Sequence, residues 1–115
     1  MQRTNFKMED QNITMIKGDT LAFNCEAFDE TQTPVTLDSA FFTCKKDPIG
    51  QITVFQKALG SGIVQVDGLI TVRVAPEDTL DVEAGRYFYD FVIGVNEDVF
   101  TIMRGILTIE QDVTF

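Results

Sequence analysis

Few side chains in this 115-residue sequence could do chemistry. There is no histidine, so the commonest general base and metal ligand is missing. Ser39 and Ser61 are the only serines, and neither sits in a GxSxG elbow. The GSG at 60–62 is too short for a dinucleotide fingerprint or a P-loop. Cys25 and Cys44 lack CxxC spacing, and without histidine a zinc site would need carboxylate partners. They read as buried reduced thiols, with a disulfide as the alternative. Glu77, Asp78, Asp81 and Glu83 crowd one segment, and Glu97 and Asp98 another. Calcium takes about six to eight oxygens, and neither group has DxDxDG spacing, so a solvated acidic face is the better reading. A glycosidase pair of carboxylates cannot be told from solvated acids by spacing alone. The expectation is a non-enzyme with no catalytic residues, no metal site and no cofactor.

The charge points the same way. Eighteen acids against nine bases leave a net charge of −9, which disfavours a nucleic-acid partner, because phosphate binding needs a positive surface. No apolar run approaches the roughly 20 residues that span a bilayer, so no membrane partner is expected. The first dozen residues contain no apolar core of a signal peptide, so the expected site of synthesis is the cytoplasm, with any exit made inside a larger assembly. The length suits one domain with one core. Ten phenylalanines and no tryptophan give that core large apolar area without buried polar atoms.

The elements that must position these residues are strands. Residues 84–93, AGRYFYDFVI, organise the rest: Gly85 supplies a corner, and Tyr87, Tyr89, Phe91 and Ile93 recur at period 2 on one face. Residues 1–11 read as a mobile arm and 12–115 as a β-domain. Strands are expected at 12–16, 20–28, 40–46, 51–57, 63–66, 69–74, 84–93 and 99–109. In 20–28 the inward set is Leu21, Phe23, Cys25 and Ala27, and in 40–46 it is Ala40, Phe42 and Cys44. In 51–57 it is Ile52, Val54 and Gln56, which turns Phe55 outward. Asp67 and Gly68 between alternating runs signal a hairpin. Pro76 followed by acids signals one helical turn. The last strand changes face between Ile102 and Leu107, and a bulge at Arg104 and Gly105 would reconcile its two halves. Regular short strands predict an all-β fold: an immunoglobulin-like or Greek-key β-sandwich of seven to eight antiparallel strands with one short helical turn. Residues 82–87 resemble the corner before strand F of immunoglobulin domains, where a tyrosine bonds its hydroxyl back to the backbone. Gly85, Tyr87 and Tyr89 are therefore structural corner residues. Tyr89 stands where such domains carry a cysteine, and Cys25 where they carry its partner.

The segments MIKGDTLAF, GLITVRVAPEDT, AGRYFYDFVIG and FTIMRGILTIEQDVT, spread over residues 13–114, resemble the N-terminal β-sandwich module of the phage baseplate upper protein family. The resemblance implies an attachment piece that holds a fibre or receptor-binding protein on a phage or prophage tail baseplate and catalyses nothing. No catalytic residue carries over. Longer members continue into a helical linker and a distal domain, and this sequence ends just after the module, so a stand-alone decoration or connector protein stays open. The expected function is a virion structural protein that contacts other tail or baseplate proteins and forms a homo-oligomer. Phe6, Met8, Val113 and Phe115 are its candidate interface residues. The alternatives are a carbohydrate-binding module, with outward Phe41, Phe55 or Phe88 as its platform, or a capsid-decorating immunoglobulin-like domain.

Overall fold

The computed structural model describes residues 9–50 and 52–111. Nine strands and one helical turn follow one another: β1 (Glu9–Asp10), β2 (Ile13–Ile16), β3 (Leu21–Glu26), β4 (Ser39–Lys45), β5 (Thr53–Leu59), β6 (Gly62–Val66), β7 (Leu69–Val74), α1 (Pro76–Thr79), β8 (Gly85–Val95) and β9 (Asp98–Glu110). The fold is all-β, a single continuous mixed sheet in the order β1-β9-β8-β4-β5-β6-β7-β3, with β2 also on β9. The expected wholly antiparallel pairing needs correction. β1 and β2 both run parallel to β9, and β5 meets β6 in parallel. That last contact is two residue pairs long, Ala58 with Gly62 and Leu59 with Ile63. There the sheet turns over, so that β3 lies across β4 and β8, and the Phe23 ring stands edge-on to Phe42 at 5.5 Å and to Phe91 at 6.2 Å. The far ends of the sheet also approach, with Cys25 Sγ donating to Met103 Sδ at 3.8 Å. The result is close to a barrel, wrapped round one apolar core.

The core follows from period-2 alternation. Ala40, Phe42 and Cys44 on β4 are fully buried, and so are Phe91 and Ile93 on β8, with Tyr87 and Tyr89 nearly so. Phe42 is the hub, in contact with the rings of Phe23, Phe55, Tyr89 and Phe91. One expected face is inverted. Phe55 points inward and stacks on Phe42, whereas Ile52 is 64% exposed. Phe42 pairs with Lys57 and Cys44 with Phe55, so the inward residues of β5 are the odd-numbered ones. Beyond them Lys45 pairs with Thr53, and Val54 is an extra residue in β5. Alternation along one strand gives two opposite sets, and the partner strand decides which faces inward.

The bulge in β9 also lies elsewhere than expected. Phe91 pairs with Met103 and Val92 with Thr101, leaving Ile102 unopposed, so both Ile102 and Met103 are buried. Gly105 serves a different purpose. It sits opposite Tyr89, and a side chain there would run into the backbone of Gln11, whose carbonyl carbon would lie 2.8 Å from the new Cβ. Gly105 thus admits the incoming N-terminal strand. Gly105→Ala is expected to destabilise the fold by about 2 kcal/mol, as overpacking against backbone does, and urea unfolding measures it. Residues 1–11 were expected as an arm. Of these, Glu9 and Asp10 pair with Met103 and Arg104, and the Gln11 N–H donates to the Arg104 carbonyl at 2.9 Å. Residues 1–8 lie outside the described residues.

The turns obey local chemistry. Asn96 (φ 51°) and Glu97 (φ 72°) form the two-residue turn of the β8–β9 hairpin, and Asp38 Oδ2 accepts the Asn96 N–H at 2.7 Å. Glycine is the favoured residue at the second position, so Glu97→Gly is expected to stabilise the protein by about 0.5–1 kcal/mol, read as a raised Tm. In the β6–β7 hairpin the positive φ falls on Asp67 (54°), and Gly68 is small because the Phe28 ring packs over it. In the 29–33 loop, Asp29 Oδ1 accepts from the Thr31 N–H (2.9 Å), the Thr31 hydroxyl (2.7 Å) and the Thr33 N–H (3.0 Å). The Thr31 hydroxyl, and then the Thr33 amide, hold this carboxyl below its ordinary value. A depressed acid stabilises above its unfolded pKa and loses that contribution as pH falls through the folded one. Protection factors at Thr31 and Thr33, taken against intrinsic exchange at each pH, are therefore expected to hold at neutral pH and to fall only below the ordinary aspartate value of 3.8.

Candidate functional site

The corner residues come first. Gly85 opens β8 with φ 159°, near full extension. Two residues on, the Tyr87 hydroxyl donates to the Glu83 carbonyl, closing the corner on itself. Burial, then the Glu83 charge, raises the phenol above its ordinary value. Tyr89, opposite Gly105, donates its hydroxyl to the Gln11 carbonyl 78 residues away. Each tyrosine therefore spends its polar tip on a backbone carbonyl, one locking the turn into β8 and the other clamping the N-terminal strand. That second role was not anticipated. The signal for it was the pairing of a buried Tyr with an in-strand Gly, but it needs the β8–β9 register to be read.

The chemistry-bearing side chains are likewise committed. Cys44 is fully buried and reduced, and desolvation pushes its thiol up to about 12, so it is inert as a nucleophile at neutral pH. Asp78, one of the crowded acids, accepts the Ala75 N–H at 2.7 Å and Lys57 Nζ at 3.0 Å. Among the described residues no three His, Cys, Asp or Glu side chains converge as a metal site. Thr79 is fully buried and its hydroxyl accepts the Gly18 N–H at 2.9 Å, so α1 ties the β2–β3 turn down.

The open chemistry lies on the outer face of β4, β8 and β9. Register aligns its residues in rows: Val99 with Gly94 and Ser39, Thr101 with Val92 and Phe41, Arg104 with Asp90 and Thr43, and Ile106 with Phe88 and Lys45. A depression of about 510 Å³ lies over the last two rows, walled by Asn12 and Pro48. Asn12 Oδ1 accepts the Ile106 N–H at 3.0 Å and so fixes that wall. Asp90 is partly desolvated, which raises its carboxyl, and Lys45 pulls it back. Phe41 is 41% and Val99 72% exposed, beside half-buried Phe88, Val92 and Ile106. The face thus mixes apolar side chains with both charges, Lys45, Arg86 and Arg104 with Asp90 and with Asp47, which also lines the depression.

Of the outward aromatics considered as a sugar platform, Phe41 is exposed, Phe88 is half-buried and Phe55 is not outward. Phe55 is in the core, and Phe41 lies in the row of Val92, four residues or about 13 Å along β8 from Phe88. Phe6, Met8, Val113 and Phe115 lie outside the described residues. The opposite face, on β3, β6 and β7, carries Val64 (56% exposed), Val66 (65%) and Leu69 (44%) round the Asp67 turn, with Glu26 paired to Leu69.

No family model matches this chain, and no curated protein matches it in sequence. Among the described residues no helix is long and apolar enough to cross a membrane.

Proposed function

We propose that the chain is a non-enzymatic structural protein of a bacteriophage or prophage virion, an attachment module that works by contact with other tail or baseplate proteins and with copies of itself. The observation that carries this reading is the contrast between its two kinds of residue. Tyr87, Tyr89, Cys44 and Asp78 are consumed by the fold, while a sheet face on β4, β8 and β9 with exposed Phe41 and Val99 stays open. A surface of that composition suits a partner protein. The four sequence segments that resemble the baseplate upper protein module supply the setting.

The finer fold belongs to the same proposal. The order β2-β9-β8-β4-β5 followed by β6-β7-β3 corresponds to the two sheets of a variable-type immunoglobulin sandwich, and the hydroxyl of Tyr87 acts as its corner tyrosine does. On that reading Cys25 and Tyr89 occupy the positions of the missing bridge.

Gold-labelled antibody against the protein, applied to particles induced from a lysogen that encodes it, tests the function. Label at the tail end of the particles is the expected result. Particles that lack the protein by labelling and by mass spectrometry would overturn the reading, and label on the heads would move it to capsid decoration.

A further inference from the structure

The two layers of the folded-over sheet end out of step. β3 is the last strand of its layer and, among the described strands, pairs with β7 alone. It lies across from β8 and β9, through Phe23 on Phe91 and Cys25 on Met103. In that opposite layer β9 is not last, because β1 and β2 lie beyond it. The layer therefore overhangs β3 by one strand. Under the overhang is a slot of about 390 Å³, roofed by Gln11, Asn12 and Ile13 and bordered by β3. The Cys25–Met103 contact closes one end of it. Among the described residues that line it, none is charged. Leu21 and Phe23 face inward here yet stay half-buried, whereas Phe42 on β4 and Phe91 on β8 are fully buried. β3 also carries none of the usual guards of an edge strand: LAFNCE has no Lys, Arg or Pro.

We propose that this slot takes residues 1–8 of a second copy of the chain, added as a strand to β3. The inference rests on the reading of the chain as an assembly module and names the contact by which copies join. The roof selects a single extended segment. A second copy that offered the edge of its own β3 would bring its own β1–β2 overhang into the same space. Residues 1–8, MQRTNFKM, have the pattern such a segment needs: Thr4, Phe6 and Met8 alternate with Arg3, Asn5 and Lys7. The first set is uncharged and suits the uncharged slot, while the second keeps both bases in water. Eight extended residues reach about 26 Å, enough to run the length of β3. Direction selects a second copy over the same chain. β1 runs parallel to β9 with Glu9 beside Met103, at the end of the slot that Cys25 and Met103 close. To fill its own slot a chain would have to reverse there at once, and residues 6–9, FKME, hold no Gly, Pro, Asn or Asp to turn on.

Crosslinking in the full chain tests the contact. Phe6→Cys and Met8→Cys each add one thiol to the segment, Cys25 borders the slot, and Cys44 is buried. Mild oxidation is expected to join two chains in at least one of these variants, and Cys25→Ser in the same chain should abolish the link. In sedimentation velocity over a concentration series, the native protein is expected to exceed the monomer mass. A chain lacking residues 1–8, and the full chain with Phe6→Asp, should each associate at least ~10-fold more weakly. Circular dichroism and Tm check their folding. A native protein that is monomeric throughout would overturn the proposal. So would a disulfide formed within one chain, no link at either position, or association that neither variant weakens. Labelling of virions is independent of these outcomes: a monomer still found in tails would sink this contact and leave the assembly role standing, and strand exchange in a protein absent from virions would do the reverse.

Discussion

Phe42→Ala is expected to lower stability by about 4 kcal/mol, the range of a fully buried phenylalanine cut back to a methyl. Phe42 has no exposed surface, and its ring meets those of Tyr89 at 5.3 Å, Phe23 at 5.5 Å, Phe55 at 6.1 Å and Phe91 at 6.4 Å. These rings come from β3, β5 and β8 as well as β4, so the loss is felt on both sides of the folded-over sheet. Single domains are stable by roughly 5–15 kcal/mol in all, and for this size the change corresponds to a fall of about 15 °C in Tm. The neighbouring Phe41→Ala, on the outer face, should cost under about 1 kcal/mol. Thermal and urea unfolding of the pair decide the point. Equal losses at the two positions would mean that the core does not centre on Phe42.

Asp78→Ala is expected to cost about 2–3 kcal/mol, more than an ordinary surface ion pair contributes. Lys57 pairs in register with Phe42, on the inward side of β5, and its stem crosses Gly62 to reach α1. Its side chain is 15% exposed and that of Asp78 17%, with 3.0 Å between Nζ and Oδ2. Removing the carboxylate strands a nearly buried ammonium and also frees the Ala75 N–H that the same oxygen accepts. The double variant Lys57→Met with Asp78→Ala should recover a good part of the loss, because no unpaired charge remains. A double variant no better than Asp78→Ala would assign the whole effect to the Ala75 contact.

The strands that alternate without interruption were legible in the sequence. β3, β4 and β8 each put their inward set where period 2 places it, and the Asp67–Gly68 turn and the turn of helix after Pro76 stand where their residue types require. The misreadings have two causes. In β5 period 2 left either set free to face inward, and the pairing of Cys44 with Phe55 chose the set with Phe55. In β9 an extra residue at Ile102 reverses parity, and no Gly or Pro there announces it. Gly105 does announce something, but a glycine inside a strand signals either a bulge or a close approach, and only the position of Gln11 tells which. The parallel placement of β1 and β2 on β9 was hidden for a different reason: parallel partners need no hairpin, so no turn residue connects them. The candidate face could not be read at all, because its rows of Phe41, Arg104 and Phe88 are drawn from three strands and exist only once register is known.

The strand β2 has a partner at the other end of the chain: Ile13 lies beside Leu107 and Ile16 beside Glu110. During synthesis β2 leaves the ribosome well before β9, yet it finds its place on the sheet only after residue 110 has emerged. Until then its backbone N–H and C=O groups lack their strand partner, as do those of Gln11 that Tyr89 and Arg104 later engage. Closure of the fold is thus a late, non-local event whose rate is limited by loop entropy. Until it occurs, the first strand is available to any other chain that offers the edge of a β9.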